Sequence, residues 1–270
     1  MTMAIVPVSV VVPCYRCAAT LERAVLSVVG QSQRPVEMIL VEDASGDGTL
    51  DLLRSLQTRY GDWVRVLELP ANAGAASARN VGWNVATQPY IAFLDADDAW
   101  HPRKIEIQWG YMQQHPDVAL SGHLCRQLPQ TVTEAPAWPV EMAGVQDITW
   151  NTLLVRHQFV TPSVMLKRAI TLRFSEGARH MEDHRLWLEI VGAPMRMVKL
   201  QAELVAVYKP VYGASGLSAD MWSMEKAELA NYRYFQSIQK ISTLDMLLLQ
   251  SYSLVKYIRR VAIVRFLHRA

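Results

Sequence analysis

The sequence predicts an α/β fold, a mostly parallel sheet flanked by helices and followed by a helical C-terminal segment. Two observations carry this. Short apolar runs alternate with helix-period stretches through the first hundred residues, and units of that length imply parallel strands joined by right-handed crossovers. The composition agrees: of 270 residues 51% are apolar and 19% charged, with 13 Gly and 13 Pro. That is enough to bury a large core, and it excludes a disordered chain, a collagen-like repeat and a disulfide-stapled scaffold.

Taken in order, the valine-rich run 8–12 reads as a strand buried on both faces. Residues 21–29 follow as a helix with Thr20 as its N-cap and Leu21, Val25, Val28 and Val29 on one face. Residues 38–41 are a second strand and 50–60 a second helix with Leu52, Leu53 and Leu56 inward. A third strand spans 64–69, a third helix 75–86 and a fourth strand 90–94. The last runs straight into Asp95-Ala96-Asp97-Asp98. Past residue 121 the pattern loosens. Pro129, Pro136 and Pro139 break any long helix, and Trp138 and Trp150 stand in loop-like sequence. Order resumes with a strand at 161–166, a helix at 182–191, a strand at 198–208 and a largely helical stretch from 222 to 270.

In such sheets ligands sit outside the carboxyl ends of the strands. The segments to inspect are Pro13-Cys14-Tyr15, Glu42-Asp43-Ala44-Ser45, Asn72-Ala73-Gly74 and Asp95-Ala96-Asp97. Neither a dinucleotide fingerprint nor a Walker A sequence occurs. The strand ends offer acid instead. A phosphate-bearing ligand next to Asp95, Asp97 and Asp98 needs a cation between, and oxygen-only ligands point to Mg²⁺ or Mn²⁺.

Five blocks, in order, resemble the family 2 glycosyltransferases, inverting enzymes of the GT-A fold. Val8-Ser9-Val10-Val11-Val12-Pro13-Cys14-Tyr15 is similar to the opening strand and Pro-x-Tyr turn. Ile39-Leu40-Val41-Glu42-Asp43-Ala44-Ser45-Gly46-Asp47-Gly48-Thr49 is similar to the nucleoside-binding element. Asn72-Ala73-Gly74 with Ala78-Arg79-Asn80 resembles the loop and helix that follow. Phe93-Leu94-Asp95-Ala96-Asp97-Asp98, trailed by Pro102 and Lys104, resembles the metal-binding Asp-x-Asp element. Met181-Glu182-Asp183-His184-Arg185-Leu186-Trp187-Leu188 resembles the Glu-Asp element carrying the catalytic base. Two departures stand out. Glu42 replaces the usual Asp and keeps its charge, while His184 replaces a frequent aromatic and is expected to alter acceptor contacts.

The resemblance implies a GT-A domain over residues 1–215, with a nucleotide-binding half to about residue 120 and an acceptor half beyond it, then a helical segment 216–270. It implies transfer of a sugar from a nucleotide-sugar, a UDP-sugar by the uracil contact expected of Asp43, to a hydroxyl of a saccharide or lipid-linked acceptor in surface polysaccharide or glycolipid assembly. The processive Gln-x-x-Arg-Trp element is absent, so single-sugar transfer is expected. Asp183 is the expected base, with Glu182 the fallback, because a hydroxyl is a poor nucleophile at neutral pH. Asp97 would hold Mn²⁺ or Mg²⁺, Asp95 the ribose, and Pro13 and Tyr15 the base. Arg79 would neutralise the diphosphate or support the nucleoside site, unless it is an exposed helix charge. A non-catalytic sugar-nucleotide-binding or scaffold protein on the same fold is the alternative. A nucleotidyltransferase would want a glycine-rich basic loop that residues 13–20 lack.

Other features take bland readings. Cys14 and Cys17 have the spacing of a zinc half-site without a second pair. Most of the eight tryptophans are expected in the core, and His101, His123, His157 and His180 are read as structural or exposed. The formal charge of +2 hides a skew: Lys256, Arg259, Arg260, Arg265 and Arg269 face no acid in the last twenty residues, and the rest nets −3. Nucleic acid is therefore not an expected partner. The longest uncharged runs have 15 residues, short of the roughly 18 needed to span a bilayer. With three cysteines, the reading is a cytoplasmic protein without a signal peptide. Peripheral contact with the inner face of the membrane through the C-terminal basic helix is open. Its stripe of Val255, Ile258, Ala262 and Phe266 is imperfect, however, which favours packing on the domain or a partner.

Overall fold

The computed structural model describes residues 4–129, 131, 132, 138–208 and 220–267, with side chains to Val264. Its first half follows the predicted alternation: β1 Ala4–Cys14, α1 Leu21–Val29, β2 Gln33–Glu42, α2 Thr49–Tyr60, β3 Val64–Glu68, α3 Gly74–Val85 and β4 Tyr90–Phe93. These strands lie parallel in the order β3-β2-β1-β4. Side chains of β1 alternate between two cores. Val8, Val10 and Val12 pack with Leu21, Val25 and Val28 of α1 and Leu53 and Leu56 of α2 on one face, and Val11 packs with α3 on the other. Gly82 permits that second contact, because a Cβ there would meet a Val11 methyl at 2.4 Å.

The second half departs from the reading. Its elements are β5 Ala99–Trp100, α4 Lys104–Gln114, β6 Val118–Gln127, β7 Val145–Ile148, α5 Trp150–Val155, β8 Met165–Lys167, α6 Glu182–Gly192, β9 Arg196–Val207, α7 Met221–Ser237 and α8 Thr243–Leu267. The sheet continues from β4 through β8, β6, β9 and β5, with β7 also on β9. Only the β6–β9 pair is parallel here. β6 occupies the stretch read as loosening. It was obscured because Ser121, Gly122 and His123 interrupt its apolar pattern, yet Ser121 and His123 are buried. Gly122 is needed because a Cβ would clash with the Phe159 ring at 2.1 Å.

The strand expected at 161–166 is a 3₁₀ turn over Thr161–Ser163 followed by β8. Trp150, placed in a loop by the sequence, opens α5 behind a capping box of Thr149 and Thr152. The C-terminal helical stretch breaks between α7 and α8, where Gln239 takes a left-handed φ of 59°. There the N–H of Lys240 closes on the Phe235 carbonyl. No glycine marks that break, so the sequence hid it. Thr20 makes no cap hydrogen bond to its helix and instead donates to the Cys17 carbonyl. Among the described tryptophans only Trp222 is largely exposed.

Candidate active site

The predicted loops gather at the carboxyl ends of β1, β2 and β4. After β1, Tyr15 is 44% exposed, with the Arg16 guanidinium 5.3 Å from its ring centroid. Arg16, at a left-handed φ of 47°, donates from its N–H to Ser45 Oγ and from Nε to the Ser45 carbonyl. Glu42 ends β2 and accepts from the N–H groups of Ala44 and Ser45 at 2.9 and 2.7 Å. That pins the turn in which Ala44 is left-handed, at φ 52°.

Asp43, buried beside it, accepts from Ala73 N–H at 2.7 Å, Gly74 N–H at 2.9 Å and Asn72 Nδ2 at 2.9 Å. A carboxylate has about four lone-pair positions, so the Asn72–Gly74 loop takes most of them. This loop opens α3, which carries Arg79. The guanidinium is buried and is not the exposed helix charge that the sequence left open. Arg79 lies 2.6 Å from Asp95 Oδ1 and 3.4 Å from Glu182 Oε1. Burial works against its charge, but Asp95 and Glu182 outweigh burial and hold its pKa above the usual value. One cation thus ties the end of β4 to the start of α6.

Asp95 and Asp97 follow β4 directly, both partly exposed, while Asp98 is buried. Arg23 of α1 donates to the Asp97 carbonyl at 2.6 Å and lies 3.5 Å from the Tyr208 ring centroid. The acid cluster is thereby braced from the opposite helix layer. Among the described residues no three His, Cys, Asp or Glu side chains converge as an all-protein metal cage, Cys14 and Cys17 included. One or two carboxylates at an open strand end is the donor set Mg²⁺ and Mn²⁺ take when substrate phosphates complete the shell. The residues at this strand end therefore fit such a cation.

Met181 precedes α6 in a left-handed conformation, φ 56°, and Asn231 of α7 donates to its carbonyl. A non-glycine residue in this region is strained, and such strain persists where surrounding structure over-determines it. The next two residues are the acid pair. Glu182 is buried, and that burial, together with the neighbouring Asp183 charge, pushes its pKa up to about 7 against the pull of Arg79. Asp183 goes the other way. Burial opposes its charge, but the His157 imidazole, the His184 N–H and Arg79 together hold its pKa below the ordinary carboxylate value. Its Oδ2 accepts from Thr161 Oγ1 at 3.1 Å and lies 3.4 Å from His157 Nε2. It is an ionised acceptor held by two side chains of the connection between α5 and β8.

His184 does not face an acceptor, as the sequence suggested. It is buried, with Nε2 against the Leu153 carbonyl of α5, and burial beside His157 drops its pKa to about 4. His157, read as structural or exposed, stands at the site instead. Arg23, Thr161 and Asn231 were also missed. None carries a motif, and each arrives from an element remote in sequence.

A family model described as glycosyl transferase family 2 matches residues 9–166. A putative teichuronic acid biosynthesis glycosyltransferase of Bacillus subtilis, TuaG, is 29% identical over 86% of this chain and 89% of its own length. The Escherichia coli enzyme WfaP, a UDP-Glc:alpha-D-GlcNAc-diphosphoundecaprenol beta-1,3-glucosyltransferase, is 27% identical over 77% of this chain and 78% of its own. Among solved structures, TarS 1–349 of S. aureus in complex with UDP-GlcNAc superposes with a TM-score of 0.67 at 16% identity, covering 92% of this chain and 72% of that one. A mannosyltransferase of Pyrobaculum calidifontis with GDP-Man and Mn²⁺ gives 0.65 at 17%, over 98% and 81%. The chain belongs to glycosyl transferase family 2 and has the GT-A fold. It is a glycosyltransferase, which sets aside the non-catalytic alternative.

Proposed function

We propose that this enzyme moves one sugar from a UDP-sugar to a hydroxyl of a saccharide or lipid-linked acceptor, with inversion and with a divalent cation, in assembly of a surface polysaccharide or glycolipid. The observation that carries the reading is the Arg79 bridge, which ties Asp95 on the nucleotide side to Glu182 on the acceptor side, next to Asp183. The names of WfaP and TuaG support the acceptor class, and the UDP-GlcNAc complex of TarS supports the donor.

On this reading residues to about 120 hold the nucleotide and 121–215 the acceptor. Pro13 and Tyr15 line the base. Asp43 accepts the base ring N–H at the lone pair its loop leaves over. Asp95, with Oδ1 on Arg79, meets the ribose through Oδ2, so Arg79 serves the nucleotide by fixing Asp95 rather than by touching the diphosphate. A cation on Asp97 would supply Lewis acidity to the departing diphosphate. Asp183 removes the acceptor hydroxyl proton as oxygen attacks the anomeric carbon. Glu182, tuned near neutrality and held by Arg79, is the fallback base. The three free thiols fit a reducing, cytoplasmic setting.

Calorimetric titration of UDP-, GDP- and dTDP-sugars with and without Mn²⁺ tests the donor, with UDP-sugar binding expected to need the ion. Asp183→Asn should keep that binding and lose about 10²- to 10⁴-fold in transfer rate. Asp97→Asn should lose the response to Mn²⁺. Unimpaired transfer by either variant removes the role assigned to it.

A further inference from the structure

Helix α8 faces the wrong way for a helix that merely covers a core. Two of its cations point inward. Lys256 Nζ lies 3.2 Å from Glu228 Oε1 and 3.3 Å from the Val155 carbonyl, and Arg260 donates to Glu225 Oε2 at 3.0 Å, both glutamates being buried on α7. Its large apolar side chains point out. Leu244, Leu247, Leu248, Val255 and Ile258 are between 52% and 66% exposed. At 100° per residue they share an arc of about 100°, and they extend about 21 Å along the axis. Monomeric soluble proteins rarely show a continuous apolar strip of this kind without a use for it.

The polar groups near the strip are already satisfied or cationic. Ser251, the one polar described side chain inside the arc, donates back to the Leu247 carbonyl of its own helix. Asp245, the sole acid of α8, is folded into the helix start by the N–H and Oγ of Ser242. Arg259 flanks the strip and is exposed. The chain beyond Val264 adds Arg265 and Arg269 and no acid, against a body of net negative charge. That charge balance matches an anionic lipid surface, where acyl chains take the leucines and headgroups take Arg259. No helix among the described residues is long and apolar enough to cross a membrane, so the geometry is that of a helix lying in the interface. The position is apt as well. Lys256 holds the Val155 carbonyl at the end of α5, two residues before His157, which stands against Asp183.

We propose that the outward face of α8 is a docking surface for an anionic bilayer, which seats the acceptor side of the site at the membrane. The seating of the acceptor side rests on the proposed function, whereas the lipid binding does not and is read without the reaction.

The test is co-sedimentation of the full chain with vesicles of phosphatidylglycerol and phosphatidylcholine, and with phosphatidylcholine alone. The wild type should bind the mixed vesicles more strongly and release in high salt. Leu247→Glu with Leu248→Glu should weaken binding by about tenfold or more, and Arg259→Gln by about fivefold on the anionic vesicles only. All three positions face solvent, so thermal unfolding followed by circular dichroism should be unchanged. The proposal is overturned if the wild type stays unbound with both vesicles, or if the double variant binds as well as the wild type. It is also overturned if analytical ultracentrifugation shows a dimer that the double variant splits while vesicles are ignored, since a second copy then covers the face.

Discussion

The β2 edge and the α6 edge of this site hold their carboxylates by different means. Asp43 is fixed by the main-chain N–H groups of Ala73 and Gly74 and by Asn72. Glu42 is fixed by the N–H groups of Ala44 and Ser45. Across the site, Glu182 and Asp183 are held mainly by the side chains of Arg79, Thr161 and His157, with one main-chain N–H, that of His184, on Asp183 Oδ1. Main-chain donors carry no titratable charge, so the first edge is a rigid cradle. Side-chain partners bring charge and burial, so neighbouring acids are driven apart in pKa and the second edge is tunable.

The strongest way to break this contrast is to remove its shared cation. Arg79→Met should leave Glu182 and Asp95 without their partner and destabilise the fold by about 3–5 kcal/mol in urea unfolding. A loss below about 1 kcal/mol would show that the bridge is dispensable. The pH dependence sharpens the picture. Glu182 keeps a proton in the folded state that the unfolded chain releases, so its share of stability falls as pH rises from about 4.5 to 7, by an order of about 3 kcal/mol. Glu182→Gln should flatten that slope. Asp183 contributes with the opposite sign: its share is present above the ordinary carboxylate range and is lost as pH falls through its lower folded value. With Asp183 as base, the acid limb of the transfer rate lies well below pH 7; a limb near 7 that vanishes in Glu182→Gln would transfer the role to Glu182.

On the rigid edge, Asp43→Asn turns an amide donor toward N–H groups and should cost about 1–3 kcal/mol in urea unfolding. A cost below about 0.5 kcal/mol would show that the main-chain cradle does not need the carboxylate. The smallest effect is expected at His157. His157→Gln should raise the acid limb of the rate profile toward the ordinary carboxylate value and lower kcat by less than about tenfold. The KM for the nucleotide-sugar should stay unchanged, and an altered KM with an unmoved limb would make His157 purely structural.

The same divide governs what could be read from the residues. The rigid edge was legible because each of its acids ends a valine- or isoleucine-rich strand whose partner strands follow within one crossover. Asp43, Asp95, Asp97 and the Glu182–Asp183 pair were all named from strand ends and motifs. His157, Thr161, Arg23 and Asn231 were not, since each reaches the site by packing between elements remote in sequence. β6 escaped for a related reason. Its Ser121, Gly122 and His123 are buried in the fold, so burial left no apolar alternation to see.

By itself the sequence determined the parallel first half, the acidic strand ends and the family, because strand period, crossover length and short motifs are local properties. Only the tertiary structure decided which acid is charged, which histidine stands beside it, and which way α8 turns its leucines. Those depend on desolvation and on ion pairs such as Arg260 with Glu225, whose partners stand 35 residues apart. Free energy at such points is set by the three-dimensional surroundings of a side chain, and no window of neighbouring residues contains them.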